Sequence, residues 1–223
     1  MKREKELISA FLNWYNSDSI STEEDYYQDT VTEGYLNGLD QEAFIQFFFQ
    51  FAREGGKVQT GGERTAGRLR KNIEENYEEF RARAMEPFQE DFDLETWFKW
   101  VNKFTFFGKG LATIYLNRVD KNRFVIVNDR SVDAYQKLGF GVRKGKLLKT
   151  YRDLEKAQKE LLEQYPEMDN FYKLDALSQY LIGTKEGENW LKKIETKEPD
   201  IGILQPYLKP YKNFIQSEDY DEW

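Results

Sequence analysis

The residues best placed to do chemistry lie in KFTFFGKGLATIYLNRVDKNRFVIVNDR, residues 103–130. Gly108 and Gly110 flank Lys109 between an aromatic stretch and an apolar run with helical spacing. Glycine lacks a Cβ, so a pair of them frees the backbone angles and leaves amides bare to an approaching group. Amides at a helix start point outward at the positive end of the dipole, and Lys109 adds a full charge. That combination suits an anion the size of a phosphate. Arg118, Lys121, Arg123 and Arg130 follow, enough cations to extend the contact along a phosphate chain. Upstream, Arg64 and Arg68 stand at i, i+4 beside GGKVQTGG, so they share a helix face and can hold phosphates. Two blander readings stay open. The glycines can serve close helix packing, and the arginines can pair with Glu63, Glu74 and Glu75.

A helix, a tight Gly-x-Gly turn and a second helix together resemble the helix-hairpin-helix element, which grips a nucleic-acid backbone without reading bases. The turn lies between helices and not after a strand, so it does not imply a dinucleotide-binding fold. IVNDRSV resembles the strand-to-helix junction that carries the catalytic aspartate of helix-hairpin-helix DNA glycosylases. That resemblance gives Asp129 a catalytic role. Glycosylases that also cleave the backbone carry a lysine near position 112, where this chain has alanine. Asn128 or Asp129 would equally serve as a helix cap.

Composition bounds the alternatives. A chain of 223 residues suits one large domain or two small ones. With 39% hydrophobic and 16% aromatic residues it is globular, not disordered. It contains no Cys and no His, which excludes disulfides, thiolate or imidazole metal sites, and Ser-His or Cys-His catalysis. No P-loop motif occurs, so the chain by itself is no nucleotide-driven motor and is expected to be no enzyme, and no cofactor is expected. No apolar run reaches the roughly 18 to 20 residues of a membrane helix. The N-terminus lacks the apolar stretch of a secretory signal, so a cytoplasmic location and no membrane partner are expected.

Net charge is −7, which alone argues against nucleic acid, but the charge is unevenly placed. Residues 102–152 hold 12 Lys and Arg against 3 Asp and Glu, while the flanks carry net −9 and −7. A basic segment between acidic flanks points to an anionic partner; a solvated lysine-rich surface is the alternative.

Helical periodicity dominates the elements that must position these groups. The spacing predicts helices over Lys5–Tyr15, Gln41–Glu54 capped by Asp40, Glu63–Met85, Leu94–Phe104 capped by Asp93, Gly108–Val119 and Asp129–Leu138. Others are predicted from a Thr150/Asp153 capping box to Pro166, over Asn170–Ile182, and over Glu186–Ile194. FVIVN at 124–128 is the one β-branched run. The expected fold is mostly α, with a helix-hairpin-helix-like element and at most a very short β segment. The expected parts are an acidic helical region 1–101, a basic hairpin segment and C-terminal helices over 102–197 packed with the first part, and an extended acidic tail or linker over 198–223. Dense aromatics, Phe47, Phe48, Phe49, Phe51, Trp97, Phe98, Trp100, Phe104, Phe106 and Phe107, would build a core or a slot for a flipped base.

GGKVQTGGERTAGRLRKNIEENYEEFR, the 107–140 segment and FYKLDALSQYLIGTKEGENWL together resemble the N-terminal region that precedes the motor in McrB-like AAA+ GTPases of type IV, modification-dependent restriction systems. The resemblance covers roughly residues 45–195. It implies a DNA-binding specificity domain for methylated or hydroxymethylated cytosine, with an AAA+ motor and a nuclease subunit as partners. Such N-terminal domains differ in fold, so no pocket carries over by residue. A glycosylase-like enzyme and a protein-interaction module of a defence complex remain the alternatives.

Overall fold

The computed structural model describes residues 2–17, 27, 29–58 and 61–195, and among them the protein is helical, with no strand. In chain order the helices are α1 Lys2–Ser17, α2 Glu33–Gly38, α3 Gln41–Arg53, α4 Glu63–Glu75, α5 Tyr77–Met85 and α6 Leu94–Val101. They continue with α7 Lys109–Val119, α8 Asp129–Lys137, α9 Leu147–Gln164, α10 Phe171–Gly183 and α11 Lys185–Glu195. Among the described residues no helix is long and apolar enough to cross a membrane. The acidic tail expected from residue 198 lies outside the described residues.

Most boundaries follow local chemistry. Asp40 accepts from the amide of Ala43 at 2.9 Å and starts α3; Asp93 accepts from Glu95 at 3.0 Å and starts α6. Three expectations need correction. The helix expected over Glu63–Met85 is two, because Asn76 leaves helical geometry at φ −132°, ψ 37°. The helix from Leu94 stops at Val101, not Phe104. The Thr150/Asp153 box caps nothing, since α9 begins at Leu147, whose side chain is already buried. The Thr150 hydroxyl instead donates to the Arg143 carbonyl at 2.9 Å, and Asp153 takes the Arg143 guanidinium.

The chain divides into two compact units. One comprises residues 19–128 and 170–172; the other 1–18, 129–169 and 173–223. The charge boundary at 101/102 is not a structural one, and the 103–130 segment is divided between Asn128 and Asp129.

The first of these units is an aromatic core with α7 at its centre. Every residue from Leu111 to Arg118 is buried. Phe48 meets Phe80 at 4.8 Å and Tyr115 at 5.3 Å, and Phe80 meets Phe104 at 5.0 Å and Phe107 at 5.3 Å. The polar ends of these rings are served too. Tyr115 donates to the Ala84 carbonyl at 2.6 Å and Trp97 to the Arg83 carbonyl at 2.8 Å. FVIVN, expected as a β segment, forms no strand among the described residues; Phe124 to Val127 are buried and Asn128 is half-buried. Its backbone bonds to α7 side chains. Val127 donates its amide to Thr113 Oγ1 at 2.9 Å, and Asn117 Nδ2 donates to the Phe124 carbonyl at 2.7 Å. Thr113 and Asn117 are four residues apart, so one helix face makes both bonds.

In the other unit Phe11 of α1 lies 5.9 Å from Tyr180 of α10, and Trp14 lies 5.3 Å from the same ring. A Cβ on Gly187 would fall 2.0 Å from the Tyr180 carbonyl, so only glycine allows α11 so close to α10. α9 buries Leu147, Tyr151, Leu154, Ala157 and Leu161. Arg143 grips Asp153 with two guanidinium bonds, at 2.7 and 2.6 Å.

Two predictions follow from these bonds. Thr113→Val keeps the shape but leaves the buried Val127 amide without its acceptor, which should cost about 1–3 kcal/mol in urea denaturation; Thr113→Ser should cost less. The Arg143 hydrogen bond holds Asp153 below its ordinary value of 3.8. A carboxyl depressed on folding contributes stability above its unfolded value and loses it as pH falls through the folded one. Asp153→Asn should therefore be less stable than the parent at neutral pH, and the gap should close as pH falls below 3.8; thermal unfolding across that range measures it.

Candidate nucleic-acid interface

Phe107 fixes the turn that carries Gly108, Lys109 and Gly110. Its buried ring sits among Phe80, Trp97, Trp100 and Tyr115, with centroids 5.3 to 6.2 Å away. The residues on either side of it face solvent: Thr105 and Phe106 before, Gly108 and Lys109 after. Gly108 is the cap of α7 at φ −67°, ψ 171°, ordinary extended geometry, and no side chain caps the helix there. A Cβ on Gly108 would meet nothing within 4 Å. The conformational freedom expected of this glycine is therefore unused. The left-handed residue is Phe106, at φ 70°, a conformation bulky side chains rarely adopt. Its ring is 41% exposed, one of two large hydrophobic side chains so open among the described residues.

α4 reaches this turn. Asn72 Nδ2 donates to the Thr105 carbonyl at 3.0 Å and to its hydroxyl at 3.2 Å. The Arg68 guanidinium lies 5.6 Å from the centroid of Phe106. Arg64, one turn earlier on the same face, is exposed, as is Lys71 one turn later. The acids that were to neutralise these arginines are engaged elsewhere. Glu74 accepts from Arg70 at 2.8 Å, Glu75 lies 3.8 Å from Lys71, and Glu63 lies 4.0 Å from Arg53. Among the described residues neither Arg64 nor Arg68 has a carboxylate within ion-pair distance.

The remaining candidates separate. Arg118 is 1% exposed, which removes it from any surface that touches DNA. Its guanidinium lies 4.3 Å from the centroid of Tyr172 and donates to the Gly56 carbonyl at 3.1 Å. Arg123 is exposed but stacks on Phe124 at 4.8 Å and Phe92 at 5.6 Å. Lys121 is half-buried, and its carbonyl accepts from the Phe171 amide at 2.9 Å. Asp129 and Arg130 open α8 in the other unit, both exposed. Gly108, Lys109, Arg64 and Arg68 thus share one unit with Phe106, and α4 and the turn between α6 and α7 bring Arg68 and Phe106 together.

Phe106 is one of the ten aromatics that the sequence offers for a core or a base slot, with nothing to set it apart from the other nine. It lies in FTFFG, where four positions hold three phenylalanines, and only the fold separates the buried Phe104 and Phe107 from the open Phe106. Of the other expected slot residues, Phe48, Phe51, Trp97, Phe98, Trp100, Phe104 and Phe107 are core, and Phe47 and Phe49 are half-buried. A cleft of about 240 Å³ lies elsewhere in this unit, lined by Arg83, Glu86, Asp91 and Asp93 among others, too acidic for a phosphate. No group of three or more acids among the described residues converges as metal ligands would. No family model, curated protein or solved structure matches the chain.

Proposed function

We propose that this chain is a DNA-binding specificity module of a modification-dependent restriction system, recognising modified cytosine, with an AAA+ motor and a nuclease subunit as its partners. The observation that carries the DNA-binding part is the pairing of α4 with the turn before α7. Arg68, without a carboxylate partner, stands beside an exposed phenylalanine next to a helix start with no side-chain cap, and Arg64, also without one, is exposed one turn earlier on the same helix. Guanidinium groups supply phosphate contacts. An open aromatic ring held next to them can stack on a base or wedge between base steps. Lys109 adds charge at the same edge. The restriction-system context rests on the sequence resemblance.

Fluorescence anisotropy with unmodified, methylated and hydroxymethylated duplexes at two salt concentrations tests this reading. Arg64→Glu/Arg68→Glu should weaken binding to all duplexes and lower the salt slope by about 2, one unit per lost phosphate contact. Unchanged binding would remove the interface. Phe106→Gly has a separate signature. It relieves a left-handed φ that glycine adopts freely, so the melting temperature should hold or rise. Affinity should fall severalfold with the salt slope unchanged, because stacking releases no counterions. Equal affinity for all three duplexes would refute recognition of the modification.

A further inference from the structure

We infer that the loop before α9 and the outer face of that helix form a second binding surface, on the other unit, for the phosphate backbone of a nucleic-acid duplex. Residues 143–159 contain seven Lys and Arg and two Asp and Glu. All seven cations are exposed. At 100° per residue, Lys149, Arg152, Lys156 and Lys159 fall within roughly 80° of arc. That arc is opposite the face that buries Leu147, Tyr151, Leu154, Ala157 and Leu161. The row spans about 15 Å of helix. Over that length one strand of a duplex presents about four phosphates.

The two carboxylates of residues 143–159 lie deeper than the cations they hold. Glu155 accepts from Arg152 at 3.0 Å and from Lys159 at 2.9 Å, yet its side chain is only 15% exposed against 58% for each cation. Asp153 beneath Arg143 is 13% exposed against 58%. The carboxylates thus hold the cations from below, and an approaching ligand meets the cations first. Lys149 and Lys156 complete the row, and Lys144, braced at 2.6 Å by Asp133 of α8, and Lys146 extend it into the loop. Glu160, half-buried, and Glu163, exposed, end the row at the far turn of the helix.

A polyanion of regular charge spacing fits this surface better than a lipid bilayer. Membrane-surface helices sink an apolar face into the headgroup boundary. The apolar face of α9 is already buried in its own unit, and the basic row carries no aromatic or aliphatic anchor.

The test uses the full chain with Lys149→Glu/Lys156→Glu and, to guard against helix damage, Lys149→Gln/Lys156→Gln. Both pairs sit on exposed helix positions, and their melting temperatures should match the parent. Binding to a 30-base-pair duplex is read by anisotropy over a salt series, with anionic phosphatidylserine vesicles as a parallel probe. The expected result is a roughly tenfold loss of duplex affinity for the glutamate pair, a smaller loss for the glutamine pair, and a salt slope lower by about 2. Vesicle binding should be absent throughout. Parent-like duplex affinity and slope in both variants would overturn the inference, even where Arg64→Glu/Arg68→Glu still weakens binding. Loss confined to vesicles would overturn it in favour of a membrane. If the parent binds no duplex at low salt, this inference and the DNA-binding reading both fall; if only the α4 variant is silent, the α9 surface stands alone.

Discussion

Backbone groups buried with α7 must all find hydrogen-bond partners, and this requirement organises the larger aromatic unit. A buried amide or carbonyl without a partner costs as much as the bond it lacks. The non-helical segment at 124–127 and the turn at Gly56 lie inside the fold without a sheet among the described residues. Three polar side chains of α7 supply the bonds: Thr113 to Val127, Asn117 to Phe124 and Arg118 to Gly56. A helix buried on every side would ordinarily be wholly apolar. Here its polar residues do what a neighbouring strand would do. Arg118 is kept for that role and for the ring of Tyr172, which explains why a cation in the middle of a basic segment never reaches the surface.

The same packing sets the candidate interface. Phe107 is driven into the core by its contacts with Phe80, Trp97, Trp100 and Tyr115, so the residues beside it are pushed outward. Phe106 takes a left-handed angle there and leaves its ring in solvent. Strain of this kind persists only where the surroundings over-determine it. The surrounding order is visible in the Asn72 bonds to Thr105 and in the stack of Arg68 on Phe106. In the other unit the organising device is depth: recessed carboxylates steady exposed cations along α9.

Much of the fold was legible because periodicity and caps are local properties. Asp40 and Asp93 stop the chain and start helices where their side chains reach the next amides. The misreadings were also local in cause. Thr150 and Asp153 have the spacing of a capping box, but a buried Leu147 extended the helix past them. FVIVN has strand composition, but it forms no strand among the described residues, and Thr113 and Asn117 of a helix bond the Val127 amide and the Phe124 carbonyl. The candidate site was less legible. Which arginines are neutralised depends on distant acids, as when Arg70 takes Glu42 from α3 as well as Glu74. Which of three phenylalanines is exposed depends on a core assembled from four helices.

By itself the sequence determined the helical class, the absence of Cys and His chemistry, and the uneven placement of positive charge. These depend on residue identity and short-range spacing, which need no partner. Tertiary structure alone decided depth: that Arg118 is inside, that Arg64 and Arg68 are outside with Arg68 against Phe106, and that Arg152 and Lys159 of α9 stand above Glu155. Depth is set by what packs against each face, and those faces come from segments far apart in the chain.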